Sequence, residues 1–123
     1  MTKELTGVLV ALCTPFDESG ENVDEPAMFS HIDTMINAGI HGIVLCAGTG
    51  EFAYLRDDEK KHIIEICTRH INGRVPVIVQ TSAINTAETI ERSKHAEGVG
   101  VDALMILPPY FEGPGESGVL HHF

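Results

Sequence analysis

The sequence is poor in basic residues and contains no tryptophan. Its 8 Lys and Arg residues face 18 Asp and Glu residues, so the formal net charge at pH 7 is −10. This excess of negative charge opposes binding to nucleic acid and to anionic membrane surfaces, because both are negatively charged. An anionic small ligand would therefore need a locally positive site, which backbone amides can supply.

Cysteine is scarce and long hydrophobic runs are absent. Cys13, Cys46 and Cys67 are odd in number and widely spaced, with no CxxC motif, so we expect buried free thiols in a reducing compartment. The longest apolar run, residues 8–13, is too short to cross a bilayer, and the first residues lack the apolar core of a signal peptide. The sequence predicts a cytoplasmic chain without a membrane span.

Strand-like and helix-like patterns alternate along the 123 residues, which we interpret as one domain over 1–123. Apolar runs predict strands at 7–14, 42–46, 75–80 and 103–107, and helical spacing with capping residues predicts helices at 24–39, 57–73, 85–99 and 116–123. Each unit has about 30 residues, the size of a βα unit, and this order requires parallel strands. A doubly wound sheet and a (β/α)8 barrel both begin in this way, and a full barrel takes about 250 residues.

The segment 47–51, Ala-Gly-Thr-Gly-Glu, connects the second strand to the second helix. Ligands of α/β proteins collect at the carboxyl ends of strands. Gly48 and Gly50 lack a Cβ, so we expect that the backbone can take φ > 0 there and approach a ligand closely, while Thr49 adds a hydroxyl and an amide. This turn could hold a small carboxylate, but a sharp strand-to-helix turn requires glycines even without a ligand.

Two other kinds of site are disfavoured by the sequence. Residues 48–53 match G-x-G-x-x-A, but Glu51 would lie beside a pyrophosphate, and Gln80-Thr81 stands where an acidic residue should meet a ribose. The seven histidines are dispersed over helices and loops without a metal-ligand spacing. We expect neither a cofactor nor a metal.

Several motifs together resemble the dihydrodipicolinate synthase / N-acetylneuraminate lyase family. They are VALCTPF at 10–16, AGTGE at 47–51, Asn-Thr-Ala-Glu at 85–88, LPPYF at 107–111 and LHHF at 120–123. The resemblance implies a (β/α)8 barrel of which this chain covers about the first four βα units. It also implies a class I aldolase, dehydratase or synthase that binds pyruvate or another 2-oxo acid through a lysine Schiff base, and a homo-oligomer, dimeric or tetrameric.

The resemblance also implies roles for individual residues. Gly48, Thr49 and Gly50 fall on the turn that binds the substrate carboxylate in the family. Gly48 replaces a hydroxyl residue of the family's proton relay, and Phe111 replaces the relay tyrosine. Tyr110 remains as the first aromatic of that pair and is the candidate catalytic residue. A GTGEF turn with Pro-Pro-Tyr looks more like the branch of 5-dehydro-4-deoxyglucarate dehydratases and 2-keto-3-deoxy acid aldolases.

The nucleophile that the resemblance implies is missing. In the family the catalytic tyrosine and the Schiff-base lysine lie on the fifth and sixth strands, which would come after residue 123. The lysines present are Lys3, Lys60, Lys61 and Lys94. None falls at the end of a predicted strand, and acidic neighbours of the last three favour the protonated amine. The alternative interpretation is a non-catalytic half-barrel that self-associates or complements a second half.

Overall fold

A computed structural model describes residues 4–123, so Lys3 lies outside the described residues. Strands and helices alternate as predicted: β1 (Leu9–Ala11), α1 (Glu25–Asn37), β2 (Gly42–Leu45), α2 (Asp57–Ile71), β3 (Val77–Gln80), α3 (Thr86–Val99), β4 (Ala103–Met105) and α4 (Glu116–His122). The strands are shorter than the apolar runs that predicted them. Each run continues past the last hydrogen bond between strands and into the neighbouring loop.

The four strands form one parallel sheet in the order β1-β2-β3-β4. Neighbouring strands are in register, with Ala11 opposite Val44 and Leu45 opposite Val79. A doubly wound sheet reverses its strand order at a switch point, whereas a barrel adds each strand beside the previous one. The order found here is that of a partial (β/α)8 barrel.

Alternate strand residues enter two separate apolar clusters. Ile43, Leu45, Val77 and Val79 belong to the outer cluster, where the strands pack against the helices. A smaller inner cluster contains the residues Val44, Ala47 and Ile78, with Ala11 and Ala103 packed against them. The helices therefore cover the outer face, and the inner cluster lies on the face that becomes the interior of a barrel.

Local capping chemistry sets the helix boundaries. The Asp24 carboxylate accepts from the Ala27 amide at 2.9 Å, and the Asn85 side chain accepts from the Glu88 amide at 2.8 Å, as the sequence predicts. Helical spacing in α3 predicts an apolar stripe at Ala87, Ile90 and Ala96, and this is wrong in part, because Ala96 is buried but Ile90 is 48% exposed. Thr89 is buried in its place because its hydroxyl accepts from the Ala83 amide at 3.0 Å.

All three cysteines are free thiols, but only two are buried. Cys46 and Cys67 are buried, whereas Cys13 is exposed. The expectation that all three are buried is therefore wrong, because the ladder of β1 ends at Ala11, before Cys13. Among residues 4–123, no helix combines the length and the apolar character needed to cross a membrane.

Candidate functional site

The turn after β2 begins with an unusual backbone conformation at Cys46. Cys46 has φ of 54°, in the left-handed region, and packs with Leu45 in the outer cluster. Because two successive side chains point outwards, Ala47 returns to the inner cluster beside Ile78. The amides of Glu51 and Phe52 then donate to the carbonyls of Gly48 at 3.0 Å and Ala47 at 3.3 Å. The turn thus closes at the carboxyl end of β2, above the inner face of the sheet.

Three successive amides of this turn are unpaired, and two of them belong to exposed residues. Within the described part of the chain, the N–H groups of Gly48, Thr49 and Gly50 donate to no carbonyl or side chain. Gly48 and Thr49 are exposed, and a Cβ built on Gly48 would meet nothing within 4 Å. Successive unpaired amides in a turn form a concave site for an anion. The geometry suits a small carboxylate.

Gly50 has a structural role that Gly48 lacks. A Cβ on Gly50 would lie 2.9 Å from the carbonyl oxygen of Leu12, and the Thr14 hydroxyl donates to the Gly50 carbonyl at 2.7 Å. The expectation of φ > 0 at the two glycines is wrong, since Cys46 and Glu51 take the left-handed conformations. Gly50 is needed because the turn packs closely on the end of β1.

The structure brings Tyr110 to the same end of the sheet as the turn. Its ring meets that of Phe52 edge to face, with centroids 5.8 Å apart and planes at 83°. Tyr110 is 46% exposed, and the adjacent Phe111 is 66% exposed. The loop after β4 is thereby held against the segment that follows the turn, with the Tyr110 side chain open to solvent.

A cluster of ion-paired side chains lies between the first turn of α2 and α3. Arg92 donates through Nε to Asp57 at 2.9 Å and through Nη1 to the Ser82 carbonyl at 2.8 Å. Burial and the charge of Arg92 lower the pKa of Lys60, and together they outweigh the Asp57 carboxylate, which favours the protonated amine as predicted. For Lys61 the acidic neighbours prevail, since hydrogen bonds to Asp57 and Glu91 raise its pKa.

Sequence reasoning did not identify Gln80 as a site residue. Gln80 ends β3 at the same edge of the sheet, is 6% exposed, and has a side-chain Nε2 without a hydrogen-bond partner in the described structure. The only signal in the sequence is a polar residue at the end of an otherwise apolar strand. Over residues 4–123, no three His, Cys, Asp or Glu side chains converge in a way that could hold a metal ion.

Comparisons with known proteins show the family of the chain. The sequence model of the Dihydrodipicolinate synthetase family matches residues 4–123. The chain is 40% identical over 119 residues to the 4-hydroxy-tetrahydrodipicolinate synthase of Bartonella tribocorum, covering 97% of this chain and 40% of that protein. The chain spans about 40% of the length of the curated relatives it matches.

Solved structures show the same fold. The crystal structure of dihydrodipicolinate synthase from Aquifex aeolicus superposes with a TM-score of 0.92 at 33% identity, over 96% of this chain and 40% of that one. YagE, a prophage protein of E. coli K12 from the dihydrodipicolinic acid synthase family, was solved in complex with pyruvate. It gives a TM-score of 0.92 at 34% identity, over 96% of this chain and 39% of that one.

Proposed function

The chain belongs to the dihydrodipicolinate synthetase family, as the N-terminal half of such a chain, and on that premise we propose that it supplies the carboxylate-binding part of a lyase. The lyase acts on pyruvate or another 2-oxo acid through a lysine Schiff base. Gly48, Thr49 and Gly50 bind the substrate carboxylate. Tyr110, at the rim of the same site, is the candidate catalytic side chain of this half.

One observation supports this proposal more than any other: the three amides of the 48–50 turn have no partner among the described residues, and Gly48 and Thr49 are exposed at the carboxyl end of β2. A carboxylate there would accept hydrogen bonds from fixed donors that need no rearrangement on binding. The amides also offset the problem posed by a chain of net charge −10, because they are hydrogen-bond donors without negative charge.

The described lysines do not provide the nucleophile. Lys60 and Lys61 lie on α2 and Lys94 lies on α3, all on the outer layer of helices. Lys60 has a lowered pKa, but the cavity it lines between α2 and α3 has a volume of only about 10 Å³. Such a cavity holds at most one water molecule. The Schiff base therefore requires a lysine from outside these residues.

The proposal extends to partners and compartment. The partner is a small 2-oxo acid, and the complete enzyme is a homo-oligomer, a dimer or tetramer, that works without a cofactor or metal. Free cysteines, one of them exposed, suit a reducing compartment such as the cytoplasm.

Titration of the isotopically labelled 123-residue chain with pyruvate tests the carboxylate site. We expect the backbone amide resonances of residues 48–50 to shift saturably at millimolar pyruvate. Gly48→Val, which places a side chain in the open space, should abolish the shifts while the remaining spectrum stays folded. Shifts that are absent from the turn, or that persist in Gly48→Val, would contradict the proposal.

A second candidate function is favoured by the two unpaired edges of the sheet. Val8 beside β1 is 59% exposed, and Leu104 on β4 is 39% exposed. A non-catalytic half-barrel that pairs with a second copy, or with a second half, would cover both edges. The association experiment in the Discussion addresses this alternative.

A further inference from the structure

The hydroxyl of Thr14 joins the loop after β1 to the 48–50 turn. Thr14 Oγ1 donates to the carbonyl of Gly50 at 2.7 Å, across 36 positions of the sequence. Pro15 follows Thr14 and restricts the Thr14 backbone to extended conformations. The Pro15 carbonyl accepts from the Asp24 amide at 2.9 Å, at the start of α1. The Thr14 hydroxyl is therefore presented from a backbone that is held in place on both sides.

Rigid peptide units connect this hydrogen bond to the ligand-facing side of the turn. The Gly50 carbonyl shares a planar unit with the Glu51 amide, which donates to the Gly48 carbonyl at 3.0 Å. The Gly48 carbonyl shares the next such unit with the Thr49 amide, which has no partner among the described residues. The carbonyl and the amide of a trans unit point in opposite directions, so the bonded Gly48 carbonyl directs the Thr49 amide out of the turn. Two hydrogen bonds thus link the Thr14 hydroxyl to an amide of the proposed carboxylate site.

The backbone of Glu51 needs this support. Glu51 has φ of 60°, in the left-handed region. This conformation is unfavourable for a residue with a Cβ, and it persists only where surrounding contacts hold it. Without the Thr14 bond the turn would also populate conformations in which the Thr49 amide points elsewhere. The apparent affinity for a ligand falls with the fraction of the chain that is in the binding conformation.

We propose that Thr14 is a positioning residue for the substrate carboxylate. Through the Gly50 carbonyl it fixes the direction of the Thr49 amide, and it does not itself touch the substrate. The inference rests on the proposed function, because the 48–50 turn must bind the carboxylate. Thr14 then contributes to binding as well as to the packing of Gly50 on the end of β1.

Titration of three isotopically labelled variants with pyruvate tests this role on the 123-residue chain. Thr14→Val keeps the size of the side chain but removes the donor, so the dissociation constant should rise about three- to tenfold. Thr14→Ser keeps the hydroxyl and should stay within about twofold of the wild type. Thr34→Val is the matched control, because the Thr34 hydroxyl donates to the Ser30 carbonyl at 2.8 Å on the exposed surface of α1. It should leave the dissociation constant unchanged.

The same samples separate positioning from stability. In Thr14→Val the Thr49 amide resonance should already differ from that of the wild type before pyruvate is added. A purely structural role would lower the midpoint of unfolding and leave the affinity of the folded chain unchanged. A dissociation constant in Thr14→Val within about twofold of the wild type would overturn the role of Thr14, and so would an equal rise in Thr14→Ser or Thr34→Val.

Two further outcomes are decided by the wild-type chain. If pyruvate shifts no amide of residues 48–50, the proposed function itself fails, and the role of Thr14 fails with it. If Thr14→Val does not fold, exchange of the Thr14 hydroxyl proton with water replaces it. Coupling between two sites is reciprocal, so saturating pyruvate should slow this exchange severalfold, and an unchanged rate would overturn the role.

Discussion

Two glycines of one turn differ in what surrounds them. A Cβ added to Gly50 would lie 2.9 Å from the carbonyl oxygen of Leu12, whereas a Cβ added to Gly48 would meet no atom within 4 Å. We predict that Gly50→Ala lowers the free energy of unfolding by about 1–3 kcal/mol, since backbone atoms must shift. Gly48→Ala should change it by less than about 0.5 kcal/mol. Urea denaturation of both variants measures the difference, and equal effects would show that the close packing at Gly50 is not limiting.

Gly48 should matter for binding where Gly50 matters for folding. In a complete enzyme, Gly48→Val should raise KM for the 2-oxo acid more than about a hundredfold, a loss of roughly 3 kcal/mol, because the side chain occupies the carboxylate position. Steady-state kinetics with Gly48→Ala as the milder control test this. An unchanged KM would assign the glycine to the geometry of the turn alone.

The three thiols should differ in reactivity. Burial raises the pKa of the Cys46 and Cys67 thiols from 9.0 to about 12, while Cys13 is exposed. Thiolate is the reactive form, so at pH 8 we expect iodoacetamide to modify one cysteine per native chain, Cys13, as read by peptide mass spectrometry. Modification of Cys67 at the same rate would contradict its burial.

The same thiols make stability depend on alkaline pH. Their folded pKa lies above the unfolded value, so the native state holds its protons more tightly. Stability is therefore complete below pH 9 and falls as pH rises from 9 towards 12. Thermal unfolding at pH 8 and 10.5 should show the loss, and Cys67→Ala should reduce its pH dependence.

At the scale of elements, Arg92 joins α3 to α2 and to the end of β3. Its side chain is 18% exposed and bonds both Asp57 and the Ser82 carbonyl. We predict that Arg92→Met lowers the free energy of unfolding by about 2–3 kcal/mol, because it leaves a buried carbonyl unpaired and removes a charge-assisted bond. Lys61→Met, which breaks more exposed ion pairs with Asp57 and Glu91, should lower the free energy of unfolding by less than Arg92→Met does. Equal losses in urea denaturation would refute this ranking.

At the scale of the whole molecule, the parallel sheet formed within residues 4–123 has two edge strands, β1 and β4, that each lack a neighbour on one side. Parallel sheets are rarely left open to water, and the exposed apolar side chains at these edges include Val8 and Leu104. We predict that the isolated 123-residue chain self-associates, aggregates or pairs with a second half. Sedimentation should show species larger than the 13.3 kDa monomer. A stable monomer with a cooperative thermal transition would refute both this prediction and the self-associating half-barrel.

Imine formation with a 2-oxo acid is also a question about the whole molecule, because it depends on where every lysine lies. Imine formation needs a neutral amine that the substrate can reach, and Lys60, whose pKa is lowered by burial and by Arg92, lines a cavity of about 10 Å³. We predict that incubation of this chain with pyruvate and borohydride yields no stoichiometric adduct in the intact mass. A longer product of the same gene, if one exists, should gain one pyruvyl mass on a lysine beyond residue 123. A stoichiometric adduct on the short chain would show that the half-barrel is itself able to form the imine.

The sequence alone determined the alternation of strands and helices, the caps at Asp24 and Asn85, the turn at 47–51 and the resemblance to the family. These features depend on local periodicity, on capping hydrogen bonds three residues apart and on short motifs, all of which can be read along the chain. The carboxylate and catalytic roles of residues 48–50 and Tyr110 stay predictions.

Only the tertiary structure decided between a doubly wound sheet and a partial (β/α)8 barrel. It also decided how the residues of the site are packed. The strand order, the contact of Gly50 with Leu12 and Thr14, and the desolvation of Lys60 all join residues that lie far apart in sequence. The exposure of Cys13 and the burial of Gln80 depend likewise on where the ladders end and what covers them. Sequence patterns indicate periodicity, but they do not give the distances between residues that are far apart in the chain. The burial of a group and its hydrogen-bond partners depend on those distances.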